Sequence, residues 1–155
     1  MLCERYGFLE FFDSGPGNGP GAQFAQIRAQ VDRRFWLSLG QGWRFFAPDS
    51  FITRLTAVLE AEAQVFQVAI NFGDAVELTG ASAPEADVCR APDAGRYVLT
   101  NKVAYGPAMF DTARLERAGG GHGIDPDPIP ALGRRAAAAG LRTASLDDVL
   151  CIAAV

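Results

Sequence analysis

Between residues 51 and 79 the hydrophobic period of the chain switches from that of a helix to that of a strand, and nothing else restricts the fold as strongly. Phe51, Ile52, Leu55, Val58 and Leu59 recur at helical spacing, which puts them on one stripe of an α-helix. Pro48-Asp49-Ser50 supplies the start signal, with proline near the first turn and an acid at the positive end of the helix dipole. From Val65 the period becomes two: Phe66, Val68, Ile70 and Phe72 fall on one face, and Gln67 and Asn71 on the other. Gly73-Asp74 then offers a two-residue hairpin turn into a second strand over 75–79. A hairpin and half-polar strands belong to an antiparallel sheet, because a parallel sheet covered on both faces shows continuous apolar runs. The expectation is an α+β fold in one globular domain, residues 1–155. It has a mostly antiparallel sheet of about four to six strands with helices packed on one face.

The rest of the chain fills in that frame. Residues 6–12 read as an aromatic strand, 14–21 as a Gly/Pro loop, and 22–35 as a helix with Phe24, Ile27, Val31 and Phe35 inward. Residues 35–46, broken by Gly40 and Gly42, read as a strand, a tight turn and a second strand. A loop over 80–95 precedes a strand over 96–105, and a short helix follows Gly106-Pro107 to about Arg117. Residues 131–139 are alanine-rich and helical, with Gly140 as the stop. Ser145 with Asp148 three residues on resembles a capping box. The tail 149–155 fits a helix or a buried strand, and the capping pattern favours the helix.

Composition removes several classes of function. The chain has 155 residues, 49% hydrophobic and 21% charged, with a net charge of −4, so it belongs with globular proteins rather than disordered ones. Neither half is basic, which leaves no electrostatic footprint for nucleic acid. Thirteen of the fourteen cationic residues are arginine and Lys102 is the only lysine, a bias that GC-rich coding produces without any functional demand. Cys3, Cys89 and Cys151 are scattered and odd in number, against a disulfide framework or a zinc knuckle. The start has no signal-peptide order and no 18-residue apolar run occurs, so the expected setting is a reduced cytoplasm with no membrane span.

Candidate sites are few. His122, the only histidine, lies in Gly-Gly-Gly-His-Gly-Ile-Asp-Pro-Asp-Pro-Ile-Pro over 119–130, where Asp125 and Asp127 could orient it or share a weakly held cation. Read structurally, the same segment is a surface loop shaped by Asp-Pro-Asp-Pro. Gly17-Asn18-Gly19-Pro20-Gly21-Ala22 has the G-x-G-x-x-A form. Its Pro20 removes a donor, and no acid follows at the ribose distance, so it reads as a loop. Cys89 beside Arg90 has a charge that could lower its thiol pKa, but no second imidazole exists to serve it. Ser14 and Ser82 lack a nucleophile elbow. Glu77, with Asp74 nearby, could pair with another carboxylate, whereas Asp147-Asp148 fits capping. Trp43, between Gly42 and Arg44, is core if buried and a binding anchor if it stands at a turn. The pairs Arg33-Arg34 and Arg134-Arg135 read as solvated helix faces.

With one imidazole and one primary amine, proton transfer and covalent attack have few actors. The expectation is therefore a non-enzymatic protein-binding or inhibitor module with no cofactor and no metal. An immunity-type protein masking a basic partner with acidic surface is one such case. The alternative is a small-ligand protein or enzyme whose site gathers His122, Asp125 and a strand carboxylate such as Glu77. A third reading is a homodimer joined through an aromatic sheet edge.

Overall fold

A computed structural model of the chain describes residues 19–39, 42–46, 48–70, 87–104, 106–120 and 128–153. In chain order the elements are α1 (Pro20–Ala29), β1 (Phe35–Ser38), β2 (Trp43–Phe45), α2 (Phe51–Ala61), β3 (Val65–Ala69), β4 (Asp87–Ala91), β5 (Gly95–Thr100), β6 (Ala108–Asp111), α3 (Thr112–Arg117), α4 (Pro128–Ala138), β7 (Arg142–Leu146) and β8 (Cys151–Ala153). Six strands form one sheet in the order β1-β6-β3-β7-β5-β4, and β2 and β8 form a separate two-stranded sheet. All neighbours are antiparallel except β3 and β7. The fold is thus α+β with a mostly antiparallel sheet.

The helices divide between the two faces of the large sheet, a correction to packing on one face alone. On the first face Leu55, Val58 and Leu59 of α2 meet Val68, Met109, Ala144, Tyr97 and Leu146. On the second, Leu115 of α3 and Leu132 and Ala136 of α4 meet Phe66, Ala108 and Phe110, with Phe24 of α1 packed alongside. Phe24, Trp36 and Phe110 cluster there with ring centroids 4.8 to 6.0 Å apart, a spacing at which aromatic pairs attract beyond their area burial. Met109 and Phe110 are sequence neighbours on opposite faces, so β6 lies at the centre of both cores.

The alternation in β3 is interrupted. The pairing of β3 with β7 slips between Val65 and Gln67, the mark of a β-bulge. Phe66 consequently faces the second core while Val68 and Ile70 face the first, which corrects the single face expected for all three. Nor is the strand half-polar to solvent: every residue from Val65 to Ala69 is buried. Gln67 is accommodated because its amide mimics a neighbouring strand. Nε2 donates to the Ala104 carbonyl at 3.0 Å and Oε1 accepts from the Ala104 N–H at 2.8 Å. Thr143 on β7 does the same work for the preceding residues, donating from Oγ1 to the carbonyls of Thr100 and Lys102 at 2.9 and 2.6 Å. Segment 101–104 is pinned across the second face by these two central side chains.

Other expectations shift for similar reasons. The helix expected over 22–35 spans Pro20–Ala29, because Phe35 and Trp36 alternate into opposite cores as β1 pairs with β6. Residues 35–46 do hold two strands, β1 and β2, but these belong to different sheets and do not pair with each other. Asp87–Ala91, assigned to a loop, pairs with β5, and the strand expected over 96–105 ends at Thr100. Residues 108–111 are strand rather than helix, and only then does α3 begin, capped by the Asp111 carboxylate accepting from the Arg114 N–H at 3.0 Å. Helix α4 ends as expected: Gly140 takes a φ of +68°, and Leu141 and Gly140 donate back to Ala136 and Ala137, a Schellman stop. Ser145 caps no helix. It is buried in β7, and Cys151–Ala153 is a strand, so the helix favoured for 149–155 is replaced there by extended chain. Strand 6–12, the turn at Gly73-Asp74 and strand 75–79 lie outside the described residues.

Candidate functional site

The described residues gather no catalytic constellation. His122, Asp125, Asp127 and Glu77 lie outside them, as do Cys3, Ser14 and Ser82, and so does the question whether loops 14–21 and 119–130 meet. Of the loop read over 14–21, Gly19 is the N-cap of α1, without a side chain to contribute, and Pro20 and Gly21 belong to the helix itself, a correction allowed by the tolerance of proline for the first helical turn. No group of three His, Cys, Asp or Glu among the described residues is placed to hold a metal ion. No described helix is long and apolar enough to cross a membrane.

Cys89 is not an activated nucleophile. Burial pushes its thiol pKa up, and the Glu62 and Asp87 carboxylates add to the rise, outweighing the opposing effect of Arg142. Arg90, on which the sequence reading relied, is not among the groups that set its charge. Next to it the Tyr97 hydroxyl donates to Glu62 Oε1 at 2.6 Å, and Gln64 holds the other carboxylate oxygen at 2.8 Å. Burial first, then that hydrogen bond, raises the Tyr97 pKa well above its ordinary value. With both values raised, Cys89 and Tyr97 keep their protons near neutrality. Cys151 is fully buried in the first core, a packing role.

Eight of the twelve described arginines bind backbone or carboxylates of their own chain. Arg114 Nη1 donates to the carbonyls of Leu59, Glu62 and Val65 at 2.9, 2.9 and 2.6 Å, capping the end of α2 and the turn into β3. Arg54 joins Asp49, Asp148 and the Ala94 carbonyl, tying the start of α2 to the β4–β5 and β7–β8 connections. Eight of the ten described carboxylates pair with a described arginine. Arg33 and Arg34 flank the start of β1 rather than lying on a helix, and Arg34 reaches Glu60 and Asp111. Arg135 donates to the Ala118 carbonyl.

Charge is divided unevenly along the chain. The described residues hold ten Asp and Glu against thirteen Lys and Arg, so the remaining eight acids and the single base Arg5 carry the entire negative excess. The described residues therefore carry a net positive charge.

Where the described surface departs from an ordinary one is the small β2–β8 sheet. Trp43 pairs with Ala153, Arg44 with Ile152 and Phe45 with Cys151, and the Phe46 N–H extends the ladder to the Leu150 carbonyl at 3.2 Å. The inner side is core: Cys151 and Leu150 are buried, and the half-buried Trp43 packs against them. A Cβ on Gly106 would lie 2.8 Å from the Trp43 indole, so the ring rests directly on backbone there. Trp43 is thus the root of this sheet and not an exposed anchor. Ile152 shares the outer side with Arg44, whereas Phe45 lies on the side of Trp43 and Cys151 and is exposed there. Phe46 is 58% exposed, Ile152 42%, Phe45 39% and Val149 37%. Phe45 stacks on Phe51 at 5.4 Å, and Ile52 beside it is exposed as well. Four of the eight large exposed apolar residues of the described surface fall in these two short strands and their flanks, too many to be the scattered background of a monomer surface. Sequence pattern gave no warning, because β8 was hidden in a tail that also fits a helix.

Comparison of the chain with models of known protein families finds no match, and comparisons with curated proteins and with solved structures find none either.

Proposed function

We propose that this chain is a non-enzymatic protein-binding module that engages its partner through the apolar residues exposed on the β2–β8 sheet. One observation carries the reading: Phe45, Phe46, Val149 and Ile152 are all exposed within two short paired strands and their flanks, on a sheet whose inner side is rooted by Trp43 and Cys151. Exposed aromatic and aliphatic side chains on a rigid base are what interface centres are made of, because little side-chain order has to be created on binding. The first expectation, acidic masking of a basic partner, takes no support from the described residues, where cations outnumber acids. Affinity in this reading comes from apolar burial, with charge at the rim.

Site-specific photocrosslinking tests it. A benzophenone amino acid replaces Phe46 or, as a control, the exposed Ala137 of α4, and the protein is irradiated in its native cells. The reading expects a discrete crosslinked protein from position 46 only, lost when Ile152→Asp is added. Equal products from both positions, or none from position 46, refute it.

A further inference from the structure

We infer that α1 is a displaceable strap over an aromatic surface on the second face, latched by the buried Arg28. This strap lies across the large sheet from β2–β8, and nothing in it depends on that face. Helix α1 carries two large apolar side chains. Phe24 packs against the second core, whereas Ile27, three residues on, is 46% exposed. Apolar burial therefore holds the helix at Phe24 and fails one turn later.

At that point a charge takes over. The Arg28 side chain is 10% exposed. Its Nη2 donates to Glu116 Oε1 on α3, and its Nη1 donates to the Val31 carbonyl at 3.1 Å, just past the helix end. Its Nε is buried with no hydrogen-bond partner. Docking α1 thus takes a cation out of water and leaves one of its donors unmet, which offsets part of what Phe24 contributes. The pair is asymmetric, because the Glu116 side chain is 63% exposed. The carboxylate keeps most of its hydration and the guanidinium loses most of its own, so the burden of the latch falls on the arginine.

Beneath the strap the Phe24 ring lies 4.8 Å from Trp36 and 6.0 Å from Phe110, and those two rings are 5.3 Å apart. The sheet under them has its own supports: β1 is laddered to β6, and Leu115, Leu132 and Ala136 pack with Phe66. An element held by one ring and one strained charge opens before the strands and helices that share a core. When α1 lifts, Trp36 and Phe110 lose the cover of Phe24 and present a paired aromatic platform.

Native-state hydrogen exchange by NMR, with two substitutions of opposite expected sign, tests this. In the wild type the α1 amides should exchange at least about a hundredfold faster than those of β3 and α2, since they open without global unfolding. Glu116→Gln keeps the shape and leaves the buried guanidinium uncompensated, so α1 exchange should rise about tenfold. Arg28→Met removes the buried charge and its orphaned donor while Glu116 stays hydrated, so α1 exchange should fall about tenfold. A third variant, Phe24→Asp with Glu116→Gln, should release α1 outright. Fluorine NMR of fluorotryptophan-labelled protein then shows Trp36 becoming solvent-exposed and Trp43 unchanged, with β3 and α2 still protected. Wild-type α1 amides that exchange together with those of β3 overturn the inference, as does Glu116→Gln exchange no faster than wild type. So does an Arg28→Met variant whose α1 opens as readily as the wild type or more so, because the arginine is then an ordinary anchor. Global unfolding of the third variant, or a Trp36 signal that does not move in it, overturns it too.

Discussion

Replacing Gln67 tests the most specific polar arrangement in the fold. Gln67 is 1% exposed, and its amide makes both hydrogen bonds that a neighbouring strand would have made to Ala104. Gln67→Leu keeps the volume and removes both bonds. Two neutral hydrogen bonds contribute about 1 kcal/mol each, and the orphaned N–H and carbonyl of the half-buried Ala104 add up to about 1 kcal/mol more. The apolar gain from leucine offsets about 1 kcal/mol, so the expected net loss is about 2 kcal/mol. Gln67→Glu is the sharper perturbation. It retains the acceptor for the Ala104 N–H but sets a second oxygen against the Ala104 carbonyl, and burial disfavours its charged form. Its folded pKa is therefore raised above the unfolded value of about 4.3, so stability is retained below that value and lost as pH rises through the folded pKa. Urea unfolding should show a cost of about 3 kcal/mol at pH 7 that shrinks toward pH 4, where the protonated carboxyl can donate to Ala104 as the amide did. Hydrogen exchange at the Ala104 amide should quicken in Gln67→Leu. A Gln67→Leu variant within about 0.5 kcal/mol of wild type, with Ala104 still protected, would refute the reasoning, and so would a Gln67→Glu cost that does not change with pH.

Arg114→Met leaves the carbonyls of Leu59, Glu62 and Val65 without their shared donor and should lower the unfolding free energy by about 3 kcal/mol in urea titration, with Arg114→Lys recovering part of it. Because the Tyr97 pKa is raised in the fold, stability present below about pH 10 should fall as pH climbs beyond it, and Tyr97→Phe should flatten that fall in alkaline unfolding curves. Gly106→Ala drives a methyl group into the Trp43 ring; it should cost about 1–3 kcal/mol and redden Trp43 fluorescence in a Trp36→Phe background.

What the sequence made legible, and what it hid, follows from whether a residue's role is local. Helix α2 was readable because its inward stripe needs only the 3.6-residue period, and Gly140 was readable because a left-handed stop is a local demand. Tertiary pairing decided the rest. Nothing near Phe66 signals the bulge that turns it away from Val68, since the slip is set by the register with β7. Gln67 looked like a solvent-facing residue because its partner, Ala104, lies thirty-seven residues away. Ser145 and Asp148 had the spacing of a capping box, yet Asp148 is bound by Arg54, ninety-four residues distant in sequence. Of the candidate site, Trp43 was singled out as a residue whose burial would decide its role, and it is half-buried against the first core. The surface it supports was not legible, because Phe46 and Ile152 become neighbours only once the tail is known to be a strand.

These long-range pairings also show how the described titratable groups are engaged. An enzyme holds titratable groups with unmet hydrogen-bonding capacity in a place a substrate can reach. Here the groups are spent within the fold: Glu62 is held by both Tyr97 and Gln64, Asp111 caps α3 and lies beside Arg34 and Arg114, and the three Arg114 bonds go to backbone. The shifts that do occur, at Tyr97, Cys89 and Arg54, move each group away from neutrality and so away from use as a base or nucleophile near pH 7. Among the described residues the interior leaves apolar area exposed on the β2–β8 sheet, with the exposed Arg44 on one of its strands. Apolar area flanked by charge supports recognition, since it contributes burial at the centre and orientation at the rim without any group that must change protonation.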